Sequence, residues 1–237
     1  MSLPFLLTSE PPFLIVDFDA PQSTLGWSLT APGFVAARQV AWLEVCNADL
    51  TPEVDPIALL RAKFSARGLE GALAFMTSRD IKRFHVSQST VGEATVTSVA
   101  TVGLSNGEHV GKQAGASHGV GTINIFAHVS KPLSVAAFVE AVSIVAEART
   151  AAIIATAGLR AGPFVTGTGT DCIVVAAPQG EWLEPYAGLH TEIGQALGAA
   201  VYEVIREGAT QWSADVAAGP KPTHPRDLAM EEKAGRR

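Results

Sequence analysis

TGTGTDCIVVAAP, residues 166–178, followed after a short loop by YAGLHTEIGQALGAAVYEVI, residues 186–205, sets the architecture of this chain. Alternating glycine and threonine lead into an acidic residue, then an apolar run, then a segment with helical periodicity. Glycine lets the backbone come close to a bound group, and each threonine adds a hydroxyl that both donates and accepts. Such a loop suits a polar ligand rich in amides or phosphates. The run DCIVVAA reads as a buried strand and residues 188–207 as a helix.

Upstream, residues 134–158 read as a long helix. Ser134 stands as its cap, Val135, Phe138, Val139, Val142 and Val145 recur at helical spacing, and Gly158 lies near its end. Glu140, Glu147 and Arg149 within it would be costly in the middle of a bilayer, so a core helix is expected and not a membrane span. Short apolar or alternating runs between residues 13 and 45 read as a β-meander. Asp55 offers an N-cap with Pro56 at the first helical position, and that helix is expected to stop at Gly68. GALAFMTS, EATVTSVATVGL and GTINIFAHVS are further strand candidates. Strands come early and long helices late, which favours an α+β fold: a mixed, mainly antiparallel sheet packed with helices in a single domain, residues 1–212. After Ser213 the composition turns to proline, glycine and charge, and residues 213–237 are expected to form a flexible tail.

With 237 residues, 47% of them hydrophobic, the chain can bury a full core. Its 17 basic against 23 acidic residues, net charge −6, argue against a nucleic-acid partner, because phosphate binding needs clustered Lys and Arg. The start has neither a charged leader nor a small-residue cleavage site, so no secretory signal is expected. Cys46 and Cys172, the two cysteines, suit a reducing, cytoplasmic setting. His85, His109, His118, His128 and His190 form no His-x-x-x-His pair, no Cys-x-x-Cys pair is present, and no metal site is expected.

Taken in order, VGLSNGEHVGK (102–112), GTINI (121–125), EARTAA (147–152), TGTGTDCIVVA and YAGLHTEIGQALGAAVYEVI resemble the adenosylcobinamide amidohydrolase family, CbiZ type, over residues 71–207. The resemblance implies an enzyme that hydrolyses the amide between the aminopropanol arm and the corrin ring of adenosylcobinamide, giving adenosylcobyric acid for corrinoid salvage. It implies a corrinoid substrate, no membrane partner and no cofactor, the cobalt belonging to the substrate. A homo-oligomer is left open. Cys172 departs from the serine that the family often has there. The alternatives are a corrinoid binder without catalysis and a phosphate- or nucleotide-binding enzyme using the glycine-threonine loop.

Hydrolysis of an unactivated amide needs an activated water or nucleophile, donors for the developing oxyanion and an acid for the leaving amine. Asp171, at the loop's end, reads as general base or as orienter of His190, or else as a turn residue holding loop amides. His190, beside Thr191 and Glu192, reads as the acid, or else as a core histidine on the face of Ile193, Leu197, Ala200 and Val204. Asn106 reads as an oxyanion donor or as half of an Asn-Gly turn. For substrate binding the candidates are Ser105, Asn124, Thr166, Gly167, Thr168, Gly169, Thr170, Tyr186, Thr191 and Glu192. Tyr186 is expected to pack on the corrin plane in a wide groove, with residues 106, 171 and 190 sharing one hollow.

Overall fold

The computed structural model describes residues 2–112, 121–157 and 165–219. Among these described residues there are ten strands: β1 (Leu6–Glu10), β2 (Phe13–Gly26), β3 (Gly33–Glu44), β4 (Leu73–Thr77), β5 (His85–Val91), β6 (Ala94–Val102), β7 (Gly107–Glu108), β8 (Ile123–Val129), β9 (Gly167–Thr168) and β10 (Cys172–Pro178). With them go α1 (Pro56–Arg67), α2 (Val135–Ala157) and α3 (Glu192–Ala217). One eight-stranded sheet runs β4-β3-β2-β10-β8-β6-β5, with β1 added to β2, and β7 and β9 form a separate ribbon. Among the described strands β3–β4 and β8–β10 pair in parallel and the rest antiparallel, so the sheet is mixed and mainly antiparallel, in keeping with an α+β fold.

The fourteen residues of β2 serve two partners on one side. Residues 13–17 pair with β1, and after an irregularity between Asp17 and Gln22 residues 22–26 pair with β10. Gly26 is demanded by closeness, since a Cβ there would stand 2.1 Å from the Ile173 carbonyl oxygen.

Strand alternation sends two sets of side chains to opposite sides. Ile123, Ile125, Ala127, Ile173 and Val175 pack under α2 and α3. Phe126, Val174 and Ala176 instead meet Phe18, Trp42 and Phe75 from the other half of the same sheet, together with Phe5 just before β1. The sheet therefore curls over itself: Asn124 of β8 donates through Nδ2 to the Met76 carbonyl of β4 at 2.9 Å, across three intervening strands. Edge-to-face rings, Phe5–Phe18 at 5.4 Å and Phe18–Phe126 at 6.0 Å, fill this inner core. Outside the curl, α1 covers Ile15, Ala41, Leu43 and Ala74 through Leu60 and Phe64.

α1 follows its expected boundaries. Asp55 accepts from the Ile57 and Ala58 amides, and Gly68 closes the helix at φ 74°. Ser134 caps α2 through the Ala137 amide, but the buried stripe is Ala137, Phe138, Ala141, Ile144, Val145 and Ala148, while Val135 and Val139 lie exposed at 66% and 57%. Small residues set the buried side because α2 packs closely on both β10 and α3. α3 starts four residues later than expected and runs to Ala217, five residues into the stretch expected as a tail; residues 220–237 lie outside the described residues. β5 was not expected. It is an edge strand whose residues are mostly half-buried, which leaves only a weak alternation to read.

His128 lies within the inner core, 5.1 Å from the Phe18 ring, and burial pushes its pKa down to about 4. The unfolded chain takes up this proton near pH 6.5 and the folded chain near 4, so the neutral ring favours the native state above 6.5 and that advantage is lost as pH falls. Urea unfolding at pH 7 and pH 4.5 should show a loss of about 2 kcal/mol attributable to this group, and His128→Phe should flatten the dependence.

Candidate active site

The glycine-threonine loop is built around Asp171. Its carboxylate takes an ion pair from Arg149 of α2, the Thr168 hydroxyl, the Thr168 amide at 3.2 Å from both oxygens and the Ile123 amide at 3.2 Å. The Asp171 side chain is 6% exposed, and its acceptor positions are filled by these donors. Asp171 is therefore the anchor of the loop and has no lone pair left for a water proton. Gly167 is required beside it, because a Cβ there would stand 2.8 Å from Asp171 Oδ2. Arg149 is the residue that the sequence reading missed. An arginine on the inner side of a largely apolar helix was its signal, since a guanidinium in such a place needs a partner.

Above this anchor, at the end of the sheet where β6 finishes and β8 and β10 begin, lies a cleft of about 300 Å³. One wall is apolar, Leu29, Val45, Leu50, Ile57 and Met76; the other carries Asn106, Thr122, Thr170 and Cys172, with Asn124 in the floor. Two loops meet here and are stapled reciprocally: Thr122 Oγ1 donates to the Thr170 carbonyl at 2.8 Å, and Thr170 Oγ1 to the Gly121 carbonyl at 3.2 Å. Gly121 lies so close to the neighbouring turn that a Cβ would come within 2.8 Å of the Ser105 amide and 2.9 Å of the Asn106 amide. The Asn106 side-chain amide lines the cleft, half-buried, without a hydrogen-bond partner among the described residues. Asn124 is 1% exposed and spends Nδ2 on Met76, while its Oδ1 and the Thr101 hydroxyl across the strand pair are buried without partners among the described residues.

The remaining expected residues divide. Thr166 is buried and braces the β7–β9 ribbon, its amide donating to the Glu108 carbonyl at 2.8 Å and its Oγ1 accepting from the Val110 amide at 2.8 Å. Thr168 belongs to the Asp171 anchor, Gly169 stands next to Asn106, and Ser105 is exposed in the turn before it. Tyr186, Thr191 and Glu192 gather at the opposite end of the sheet, where Glu192 accepts from the Glu93 amide of the β5–β6 turn at 3.0 Å and Thr191 caps α3. His190 precedes that cap, exposed. The seven residues of β10, at about 3.3 Å each, put the two ends about 20 Å apart. The expected hollow shared by residues 106, 171 and 190 is thus corrected: Asn106 lines the cleft, Asp171 supports it from below, and His190 belongs elsewhere, neither beside Asp171 nor in the core. Tyr186, 64% exposed, stands with the far group and not among the residues lining the cleft.

Burial, and then the neighbouring Asp171 charge, push the Cys172 thiol up to about 11, so it lines the cleft as a protonated, inert group. Among the described residues no three His, Cys, Asp or Glu side chains gather as metal ligands; His118 lies outside those residues.

The family model for CbiZ, adenosylcobinamide amidohydrolase, matches residues 6–217. The chain belongs to the adenosylcobinamide amidohydrolase family. An adenosylcobinamide amidohydrolase of Halobacterium salinarum is 38% identical over 86 residues, which is 36% of this chain and 35% of that relative, so the match spans about a third of the relative's length. Two solved structures align over 86% of this chain and 82% of their own: the PH0078 protein of Pyrococcus horikoshii OT3, 11% identical with a TM-score of 0.45, and the L-aminopeptidase D-Ala-esterase/amidase of Ochrobactrum anthropi, 10% identical with a TM-score of 0.40. Likeness at that level assigns no chemistry to this member of the amidohydrolase family.

Asp171→Ala leaves the Arg149 guanidinium uncompensated beneath the loop, and loss of one partner of a buried pair costs about 3–5 kcal/mol. Chemical denaturation should show a loss of that order. Cys172 should resist iodoacetamide at pH 7.5 in the folded protein, followed by mass spectrometry, and Cys172→Ser should turn over within a few-fold of the parent.

Proposed function

We propose that this chain hydrolyses the amide that joins the aminopropanol arm to the corrin ring of adenosylcobinamide, releasing adenosylcobyric acid for corrinoid salvage in the cytoplasm. The observation that carries the reading is the family match, because residues 6–217 take in every strand and helix that shapes the cleft. Among the described residues, no helix is long and apolar enough to cross a membrane.

The size and polarity of the cleft support an arm-in, ring-out arrangement. Pockets that enclose drug-sized ligands measure about 300–1,000 Å³. A cleft of about 300 Å³ takes the amide-bearing arm and leaves the macrocycle at the mouth, which replaces the expected wide groove. Methyl and methylene groups of the arm suit the Leu29, Ile57 and Met76 wall, and the scissile carbonyl then faces Asn106. The Asn106 amide donates to the carbonyl oxygen as negative charge develops on it, a contribution of the kind that one side-chain donor makes in other acyl-transfer sites. The cobalt enters as part of the substrate.

A phosphate in the glycine-threonine loop is disfavoured by the same geometry. The Thr168 amide and hydroxyl already face the Asp171 carboxylate, and an anion there would meet that charge. A non-catalytic corrinoid binder differs only in outcome.

Incubation of the purified protein with adenosylcobinamide should yield adenosylcobyric acid by mass spectrometry. Tight binding with no product would leave the binder, and neither binding nor product would remove corrinoids altogether. Asn106→Ala should lower kcat about 10²–10³-fold, whereas His190→Ala should stay within a few-fold of the parent.

A further inference from the structure

Hydrolysis needs a base within reach of the water that attacks the carbonyl, and the cleft wall itself offers none. Cys172 is the one titratable side chain among the described residues that line it, and its thiol stays protonated at neutral pH. Asp171, the acidic residue the loop motif advertises, has its oxygens filled.

A second acidic side chain reaches the loop through its Cγ methylene. Glu108 Cγ lies 3.8 Å, and Asn106 Nδ2 3.4 Å, from the point where a Cβ on Gly169 would stand. Both side chains therefore converge on the gap that Gly169 leaves open, and Thr170, the next residue, lines the cleft. Glu108 is half-buried, and its backbone is pinned: it pairs with Gly167 across the β7–β9 ribbon and accepts the Thr166 amide through its carbonyl at 2.8 Å. An acidic side chain on a pinned ribbon, reaching the same gap as the Asn106 amide, has the placement of an acid–base group.

We propose that Glu108 is the general base of the amide hydrolysis, an assignment that rests on the amidohydrolase reading above. The Glu108 carboxylate takes a proton from water as the water oxygen bonds to the amide carbon, and the carbonyl electron pair moves onto its oxygen beside Asn106. When the tetrahedral intermediate collapses, the carbon–nitrogen bond breaks and the proton held by Glu108 passes to the departing nitrogen. One water is consumed, one carboxylic acid and one amine leave, and Glu108 is again a carboxylate. The same side chain serves as base and then as acid, so no histidine is required at this end of the sheet.

The test compares Glu108→Gln, which keeps size and backbone, with Glu108→Asp, which keeps the charge, on adenosylcobinamide. Both are assayed below the thermal midpoint of each variant so that only folded protein is compared. Glu108→Gln should lower kcat about 10²–10⁴-fold while substrate affinity from equilibrium dialysis stays within about threefold. Glu108→Asp should recover part of the rate. A Glu108→Gln enzyme within a few-fold of parental kcat overturns the assignment, as does a parallel loss of binding and turnover, which would make Glu108 a substrate contact. A parent protein inert towards adenosylcobinamide removes the amidohydrolase reading itself, and this base with it.

Discussion

The Arg149–Asp171 ion pair is the constraint on which the rest of the site depends. It ties α2 to the residue where the glycine-threonine loop becomes β10, and the same carboxylate gathers the Thr168 and Ile123 amides. Remove it and three elements lose their common reference: the loop, the start of β8 and the start of β10. Coulomb attraction at short range in a poorly solvated place is strong enough to hold such a junction, and equally costly to leave half made. That is why the acidic residue that closes the glycine-threonine loop acts as a brace for the elements around it.

Much of the fold was legible. The Asp55-Pro56 start and Gly68 stop bound α1 because both ends are satisfied by local hydrogen bonds that sequence specifies. β6, β8 and β10 were visible as β-branched and apolar runs, and the mixed sheet followed from the order of strands and helices. Less visible were β1, β5 and the β7–β9 ribbon, which are short or lie at edges and carry little periodic signal. The α2 stripe was misplaced because valine advertises burial more loudly than alanine, whereas close helix packing selects alanine at Ala137, Ala141 and Ala148.

The site was legible in part. Asn106, Asn124 and Thr170 were marked by their motifs and do meet at the cleft. His190 was expected to share a hollow with Asp171 from its place at a helix start beside Thr191 and Glu192, but β10 intervenes and carries the chain to the far end of the sheet before the histidine appears. The apolar wall, Leu29, Val45, Leu50, Ile57 and Met76, gave no warning at all, because these residues look like ordinary core and become a wall only through the curl of the sheet. Glu108 sat in plain view inside a polar turn, with nothing local to set it apart from a solvated charge.

β10 deserves a last look as the strand between β2 and β8. Its pairing with residues 22–26 joins stretches about 150 positions apart, and without it the β4-β3-β2 group and the β8-β6-β5 group share no strand-to-strand bond. During synthesis the early strands leave the ribosome long before their neighbour exists, so they wait with an open edge, exposed to the wrong partners. The last strand of the sheet to be made is the one that unites it, and the chain acquires its cleft in the same step.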